Sequence, residues 1–182
     1  MTNPPYMLDQ LSSIAHFLNH PRVFSFIHIP VQAGHNTVLT KMNREYTVEE
    51  FKRVVDYFLE HVPGVTIATD IICGFAEETE EEFEASLQLI RDYQFRVVNI
   101  NQFYLRPGTP AQNLVQLPSQ VVKSRSSRLT ELFKSYSKHD YMVGREERVW
   151  FNEEDHYKGS HYLVGHTKNY TKVTLPYQQD LL

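Results

Sequence analysis

The sequence predicts an α/β fold followed by a short all-β region. Three apolar segments, Val23–Ile29, Val65–Cys73 and Arg96–Tyr104, alternate with amphipathic segments at the spacing of βα units. The middle segment is apolar almost throughout instead of alternating, which is typical of a buried strand in a parallel sheet. These observations predict a parallel sheet or an open (β/α) barrel, organised around the stretch Val65–Phe83.

Helices are indicated by apolar residues that recur on one face and by capping residues that precede them. We predict helices over about residues 6–18, about 37–42, from Thr47 to Pro63, from Thr79 to about Tyr93 and from Ser119 to about Asp140. Thr47 and Thr79 each have a glutamate three residues later, the pattern of a capping box, and such a cap contributes about 1 kcal/mol. Gly74 allows a tight turn between the central strand and its helix.

Polar side chains cluster at the carboxyl end of each predicted strand. They are His28 and Gln32 for the first strand, Asp70 for the second, and Asn101, Gln102 and Arg106 for the third. Ligands of parallel α/β folds bind at the carboxyl ends of the strands. The coincidence at three strands therefore predicts a ligand pocket, although an ordinary βα unit without a ligand is the alternative for any one of them.

The predicted helix from Ser119 to about Asp140 carries a basic side. Its cations are Lys123, Arg125, Arg128, Lys134 and Lys138. One interpretation is a solvated charged face, and the other is an edge that contacts RNA phosphates.

After Gly144 the pattern changes to short strands separated by polar turns. The segments are Arg148–Phe151, Tyr162–Gly165 and Thr171–Leu175. Lys158, His161, His166, Lys168 and Tyr170 mix basic and aromatic character, as small nucleic-acid-binding barrels do, but ordinary strand surfaces have this composition too. We predict two units, residues 1–140 and residues 143–182, the second being an incomplete all-β domain.

Composition restricts the classes of protein that remain. The formal net charge is −4, which argues against coating nucleic acid by bulk charge but permits a local basic patch. A single cysteine, Cys73, excludes an internal disulfide and a cysteine-ligated cluster built within this chain, and it suggests a reducing, cytoplasmic compartment. We expect a small buried residue there, and no metal at the histidines of the β region. No apolar run reaches transmembrane length.

Three linked motifs resemble a known enzyme family. HIPVQAGHNTVLTKMNREYTVEEF, TIATDIICGFAEETEEEF and NINQFYLRPGTPA, in this order, resemble the radical S-adenosylmethionine tRNA methylthiotransferases, in the archaeal and eukaryotic branch that acts on threonylcarbamoyladenosine. The resemblance implies a partial (β/α) radical-SAM barrel, and for residues 143–182 the start of a TRAM-like tRNA-binding domain. It implies methylthiolation of N6-threonylcarbamoyladenosine beside the anticodon of tRNA, with S-adenosylmethionine and 4Fe-4S clusters as cofactors. The reductant and the sulfur donor are left open.

The resemblance also assigns site residues by motif. It places Gln32 and Asp70 near the cofactor, Arg44 on its carboxylate, Ile72, Gly74 and Phe75 along its adenine, and Asn101, Gln102 and Arg106 around the pocket. We assign Lys123, Arg125, Arg128 and Lys168 to RNA binding. No residue of this chain is assigned to catalysis or to a metal.

Several departures from the family pattern are visible in the sequence. Ala76 and Glu77 replace the usual proline and glycine, which matters if that turn needs a positive φ. The Cys-x3-Cys-x2-Cys motif that ligates the radical cluster is absent, so we expect a C-terminal fragment that is inactive alone. The alternatives are a non-catalytic tRNA- or S-adenosylmethionine-binding remnant and a radical methylthiotransferase acting on a protein. We also expect marginal stability from an open sheet edge. Some animal members carry a membrane tail, which leaves a tether to the endoplasmic reticulum open.

Overall fold

The structure is a computed structural model, and it describes residues 2–105, 107–108 and 110–178. Its first sheet is parallel, with strand order β1-β2-β3, formed by Phe26–His28, Thr66–Cys73 and Val97–Gln102. Phe26 pairs with Thr66, and Ala68 pairs with Val97, so β2 is central. Every residue of β2 but two is buried, which explains the continuous apolar run in the sequence. The predicted parallel sheet is confirmed.

Within the described residues, five α-helices accompany the parallel sheet and the segment that follows it. They are α1 (Leu11–Asn19), α2 (Asn36–Lys41), α3 (Val48–His61), α4 (Glu80–Tyr93) and α5 (Ser119–Ser135). Short 3-10 helices cover Pro4–Tyr6, Pro110–Asn113 and Asp140–Met142. None of the helices in the described residues is long and apolar enough to cross a bilayer.

Both predicted capping boxes are present. The hydroxyl oxygens of Thr47 and Thr79 accept from the backbone amides of Glu50 and Glu82, and the carboxylate of each glutamate accepts from the amide of its threonine. Two ends of the predicted elements differ from the expectation. The first helix begins at Leu11 instead of residue 6, because a 3-10 turn precedes it, and α5 ends at Ser135 instead of about Asp140.

The core lies between the sheet and the helices α1, α3 and α4. Phe51 and Phe58 of α3, and Phe83 and Ile90 of α4, are fully buried there. Their spacing of seven residues puts each pair on one face of its helix, as the amphipathic pattern predicts.

The second sheet is antiparallel, with order β4-β5-β6, formed by Val149–Tyr157, Ser160–Thr167 and Lys172–Pro176. Lys158 and Gly159 form the turn between β4 and β5, and both have positive φ values of 51° and 81°. Such a turn matches the twist of a two-stranded ribbon, so β4 extends well beyond the predicted end at Phe151. The three strands are present, whereas the predicted TRAM-like all-β domain stays a prediction.

The first predicted strand, Val23–Ile29, is reduced to Phe26–His28. Its beginning is occupied by contacts with the second sheet. The amide of Ser25 donates to the carbonyl of Lys168, in the second sheet region, at 2.7 Å. The carbonyl of Ser25 accepts from the amide of Thr66 on β2. The segment that begins at Ser25 therefore contacts both sheets.

Candidate functional site

A cleft of about 510 Å³ opens at the carboxyl edge of the parallel sheet. Its lining residues are Gln32, Arg44, Asp70, Ile72, Asn101, Gln102, Phe103, Tyr104 and Ala111. The first six are residues for which the sequence predicts cofactor contacts. The clustering of polar side chains at one sheet edge is therefore confirmed, and its volume suits a small-molecule ligand. Their binding roles stay predictions.

Gln32 has an unusual backbone conformation at the edge of this cleft. Its φ is 71°, in the left-handed region, and the residue is nearly buried. Its amide donates to the carbonyl of Asp70 at 2.8 Å, and its carbonyl accepts from the amide of Ile72 at 2.9 Å. A left-handed conformation costs a non-glycine residue about 1–2 kcal/mol. The two bonds to β2 offset that cost and fix the Gln32 side chain at the cleft.

The loop that follows Gln32 is held against α4. The amide of Gly34 donates to the hydroxyl of Ser86 at 2.8 Å. A β-carbon on Gly34 would lie 2.6 Å from the carbonyl oxygen of Ala85, so only glycine permits this approach. The close contact determines where the loop leaves the sheet.

Arg44 carries the positive charge of the cleft. It follows Asn43, whose φ of 55° turns the chain back toward the sheet, and its own amide donates to the carbonyl of Leu39. The Nε atom of Arg44 is buried and has no hydrogen-bond partner among the described residues. An unsatisfied buried donor costs about 1–3 kcal/mol, more when it is charged. A bound carboxylate would remove that cost, since a guanidinium binds carboxylates with charge-assisted bonds.

Asp70 joins all three strands of the parallel sheet. Its Oδ1 atom accepts from His28 Nε2 at 2.9 Å and from Asn99 Nδ2 at 2.6 Å. His28 lies on β1 and Asn99 on β3, so the carboxylate is oriented from both sides. Its second oxygen has no such partner among the described residues, and the side chain is 14% exposed. Asp70 can therefore accept a hydrogen bond from a ligand hydroxyl or amine.

The apolar wall of the cleft continues into a neighbouring pocket of about 390 Å³. Arg44, Ile72, Phe103 and Ala111 line both cavities, and Phe75 lines the second. The rings of Phe75 and Phe103 pack with centroids 4.7 Å apart. Such a wall can accept a planar ring by apolar contact.

Gly74, for which the sequence also predicts a cofactor contact, is not among the residues that line either cavity. Its φ is 73°, as the predicted turn requires, but a β-carbon there would lie 2.7 Å from Cγ2 of Val122. Gly74 thus faces α5 instead of the cleft, and its function is to let the turn and that helix approach. Arg106, the remaining predicted cofactor residue, lies outside the described residues.

Three cleft residues were not among the predicted contacts: Phe103, Tyr104 and Ala111. Tyr104 is 65% exposed, and its hydroxyl donates to Gln102 Oε1 at 3.0 Å. The sequence contains a signal for two of these residues. Phe103 and Tyr104 form an aromatic pair directly after the strand that carries Asn101 and Gln102.

The RNA contact predicted for Arg125 is contradicted. Its side chain is 5% exposed, and Nη1 donates to Glu78 Oε2 at 2.8 Å and to the Glu78 carbonyl at 2.9 Å. Arg128 is also engaged within the chain, since it forms ion pairs with Glu80 and, at 2.9 Å, with Glu84. The basic side of α5 packs against the acidic start of α4, a complementarity visible in the sequence. Lys123 remains exposed.

Lys168 is likewise engaged in the fold. Its ammonium donates to the carbonyls of Leu18 at 3.0 Å, His20 at 2.8 Å and Val23. These carbonyls lie at and after the end of α1, where a cation interacts favourably with the helix dipole. Burial lowers the pKa of Lys168. These contacts hold the ammonium within the fold, and the RNA role of Lys168 stays a prediction.

Cys73 is fully buried, and burial raises the pKa of its thiol to about 12. One cysteine cannot hold an iron–sulfur cluster, which is bound by several cysteine thiolates. The predicted small buried residue is confirmed. In the part of the chain that the structure describes, no three histidine, cysteine or acidic side chains converge on a common point. These residues do not fit an iron–sulfur cluster, whereas the cleft does fit S-adenosylmethionine.

Comparison with known proteins first identifies the class. The model of the radical SAM superfamily matches residues 1–90, and the chain belongs to that superfamily. Within it, the chain belongs to the threonylcarbamoyladenosine tRNA methylthiotransferase family. It is 51% identical over 182 residues to the Drosophila melanogaster member and 49% identical over 176 residues to the human one. A probable member from Pyrococcus horikoshii is 39% identical over 178 residues.

The chain spans about a third of the length of its animal relatives. It covers 33% of the Drosophila protein, 30% of the human protein and 41% of the Pyrococcus protein. These matches extend over 100%, 97% and 97% of the chain.

Proposed function

We propose that this chain is the cofactor- and tRNA-binding part of an enzyme that methylthiolates N6-threonylcarbamoyladenosine at position 37 of tRNA, beside the anticodon. The observation that carries the proposal is the polar cleft at the carboxyl edge of the sheet, with the buried, unpartnered Nε of Arg44. The names of the relatives support the substrate class.

Each part of S-adenosylmethionine has a chemically suitable partner in the cleft. Arg44 would bind the carboxylate, and Gln32 and Asp70 would hydrogen-bond the amine and the ribose hydroxyls. Ile72 and the ring of Phe103 would contact the adenine, with Asn101 at the rim. These side chains bind and orient the cofactor, and the apolar wall limits access of water. In this family the cofactor and its clusters supply radical and methyl-transfer chemistry.

The proposal also assigns a domain to each of the two units of the chain. Residues 1–140 would form the C-terminal part of the radical SAM barrel, and residues 143–182 the beginning of a TRAM-like domain. The antiparallel order of β4, β5 and β6 supports the second assignment. Without a cluster site among the described residues, the chain alone would bind but not react. A cytoplasmic location is inferred from cysteine usage.

Calorimetry with S-adenosylmethionine tests the cleft directly. We expect the chain to bind the cofactor and Arg44→Met to weaken binding about 10- to 100-fold, since a hydrogen bond to a charged group contributes about 1.5–3 kcal/mol. Arg53→Met is the matched control, because Arg53 is an exposed cation on α3 outside the cleft. Equal affinity of Arg44→Met and the unaltered chain would reject this assignment.

Mass spectrometry of tRNA hydrolysates tests the reaction. Deletion of the gene should remove the methylthio derivative and leave threonylcarbamoyladenosine to accumulate. Unchanged levels of both nucleosides would contradict the proposed activity. The second candidate, a non-catalytic binding remnant, is favoured by the single, buried Cys73. Sequencing the native transcript upstream of Met1 separates the two: an open frame with a Cys-x3-Cys-x2-Cys segment supports the enzyme, and a stop codon supports the remnant.

A further inference from the structure

A second cleft, of about 450 Å³, lies where the loop before β1 meets the first strand of the antiparallel sheet. We define this junction cleft by Arg22, Phe24, Arg148, Trp150 and Asn152, which line it. The loop precedes β1, so the junction cleft lies at the opposite edge of the parallel sheet from the cofactor cleft. We infer that it binds an unpaired nucleotide of RNA, with the base on Trp150 and the phosphate on the two arginines.

The aromatic part of this site is Trp150. The indole is 38% exposed although it is the largest apolar side chain of the second sheet. Phe24 meets it nearly at right angles, with centroids 6.0 Å apart and an interplanar angle of 86°. The exposed part of the indole is available to stack with a base. Stacking on an aromatic face is the main sequence-tolerant contribution to binding single-stranded RNA.

Two exposed arginines give the junction cleft its positive charge. Arg22 and Arg148 are exposed, and neither has a carboxylate within ion-pair distance among the described residues. By contrast, Arg91, Arg125 and Arg128 all pair with glutamates. In a chain with net charge −4, two unpaired guanidinium groups beside an exposed indole form a local positive site. A phosphate diester is the ligand that such a pair binds best.

The start of β4 brings the remaining groups to the cleft. Arg148 directly precedes β4, Trp150 lies on it, and Asn152 lies at a bulge in its pairing with β5. All three side chains line the same cleft. The Asn152 amide has both a donor and an acceptor for a base edge. Further along β4, Glu153, Glu154 and Asp155 would repel a phosphate, which confines the nucleotide to the junction.

The walls of the junction cleft are fixed to each other by contacts between the two sheets. Lys168 binds carbonyls at the end of α1, and its own carbonyl accepts from the amide of Ser25. Tyr170 packs against Phe26, with centroids 4.8 Å apart, and stacks on His166 at 4.2 Å. A cleft whose walls are already joined needs little ordering when a ligand binds.

This inference rests on the proposed tRNA substrate and deepens it. Because the two clefts lie at opposite edges of the sheet, the nucleotide bound at Trp150 is a different one from the nucleotide modified at the cofactor. The junction cleft would therefore select the position of the RNA on the protein.

Trp150 is the only tryptophan of the chain, so its fluorescence reports on this site alone. We expect an unpaired RNA heptamer to quench the emission in a saturable manner and adenosine monophosphate to quench it only at much higher concentration. Trp150→Ala should weaken heptamer binding, measured by anisotropy, about tenfold or more, and Trp150→Phe by less. Arg148→Ser should reduce the salt dependence of heptamer affinity by about one released counterion. Arg53→Ser, which makes the same charge change on α3, should leave that salt dependence unchanged.

Each outcome supports or overturns the inference. Heptamer binding without a change in Trp150 emission means that the RNA binds elsewhere, which overturns the inference and leaves the proposed function intact. Absence of binding to any RNA, including an intact tRNA anticodon stem-loop, overturns both. Equal quenching by an acidic heptapeptide would show that the site recognises only negative charge, and this result would also overturn the inference. The quenching assay uses the unaltered chain, so a variant that fails to fold does not block the test.

Discussion

Arg125 on α5 and Glu78 in the turn after β2 form a buried ion pair, with Nη1 and Oε2 2.8 Å apart. Glu78 Oε2 also accepts from the amide of Gly74 at 3.0 Å, so the pair holds the turn that precedes α4. Burial raises the pKa of Glu78, and the nearby guanidinium opposes that rise. The pair fixes the backbone from which Phe75 reaches the apolar wall of the cofactor cleft.

Removal of one partner of this pair should be costly. We expect Arg125→Met to lower the free energy of unfolding by about 3–5 kcal/mol, because a buried carboxylate is left without a countercharge. The deficit should shrink as pH falls toward the usual carboxyl pKa, since the raised pKa of Glu78 lets the folded state keep the proton. Urea unfolding across pH measures both effects. The double variant Arg125→Met/Glu78→Leu should recover most of the loss, and a double variant as unstable as the single one would contradict this account.

Glu77 should be a site at which glycine stabilises the protein. Its φ of 59° is in the left-handed region, which costs a side-chain-bearing residue about 1–2 kcal/mol. Glu77→Gly removes that strain, loses only an exposed ion pair with Lys41, and increases the entropy of the unfolded chain. We expect a net gain of about 0.5–1 kcal/mol in thermal or urea unfolding. Glu81→Gly, in the first turn of α4, is the control and should destabilise; a loss at both positions would refute the strain argument.

Cys73 should be unreactive in the folded chain. Its pKa is raised from 9.0 to about 12 by burial, so the folded state keeps the proton that the unfolded state releases. Above pH 9 the stability should therefore fall with rising pH, by up to about 1.4 kcal/mol per pH unit, relative to Cys73→Ala. Labelling with a disulfide reagent at pH 8.5 should be negligible until urea unfolds the chain. Rapid labelling under native conditions would show that the thiol is accessible.

Lys168 should contribute to stability rather than to RNA affinity. Lys168→Met removes an ammonium that donates to three carbonyls at and after the end of α1. We expect a loss of about 2 kcal/mol in the free energy of unfolding, with heptamer affinity unchanged under conditions where the variant is folded. Lys172→Met, an exposed lysine on β6, is the matched control and should change stability by less than about 0.5 kcal/mol. Loss of RNA affinity in Lys168→Met without loss of stability would reverse this assignment.

Sequence patterns alone predict the parallel sheet, both capping boxes and the cluster of polar residues at the carboxyl edge. These features depend on local chemistry: the apolar run of β2, the threonine–glutamate spacing at Thr47 and Thr79, and the period of the βα units. The sequence also marks Glu77 as a residue that stands where the family usually has glycine, and its observed φ of 59° is in the left-handed region.

Which charges are available to a ligand depends on how the helices and strands pack against each other. Arg125, Arg128 and Lys168 resemble a nucleic-acid surface in sequence, but folding brings each one against an acceptor that is distant along the chain. The same packing leaves Arg22 and Arg148 unpaired beside Trp150, a juxtaposition of residues more than a hundred positions apart. Ion pairs depend on distances between elements, and a periodic pattern within one element does not contain those distances.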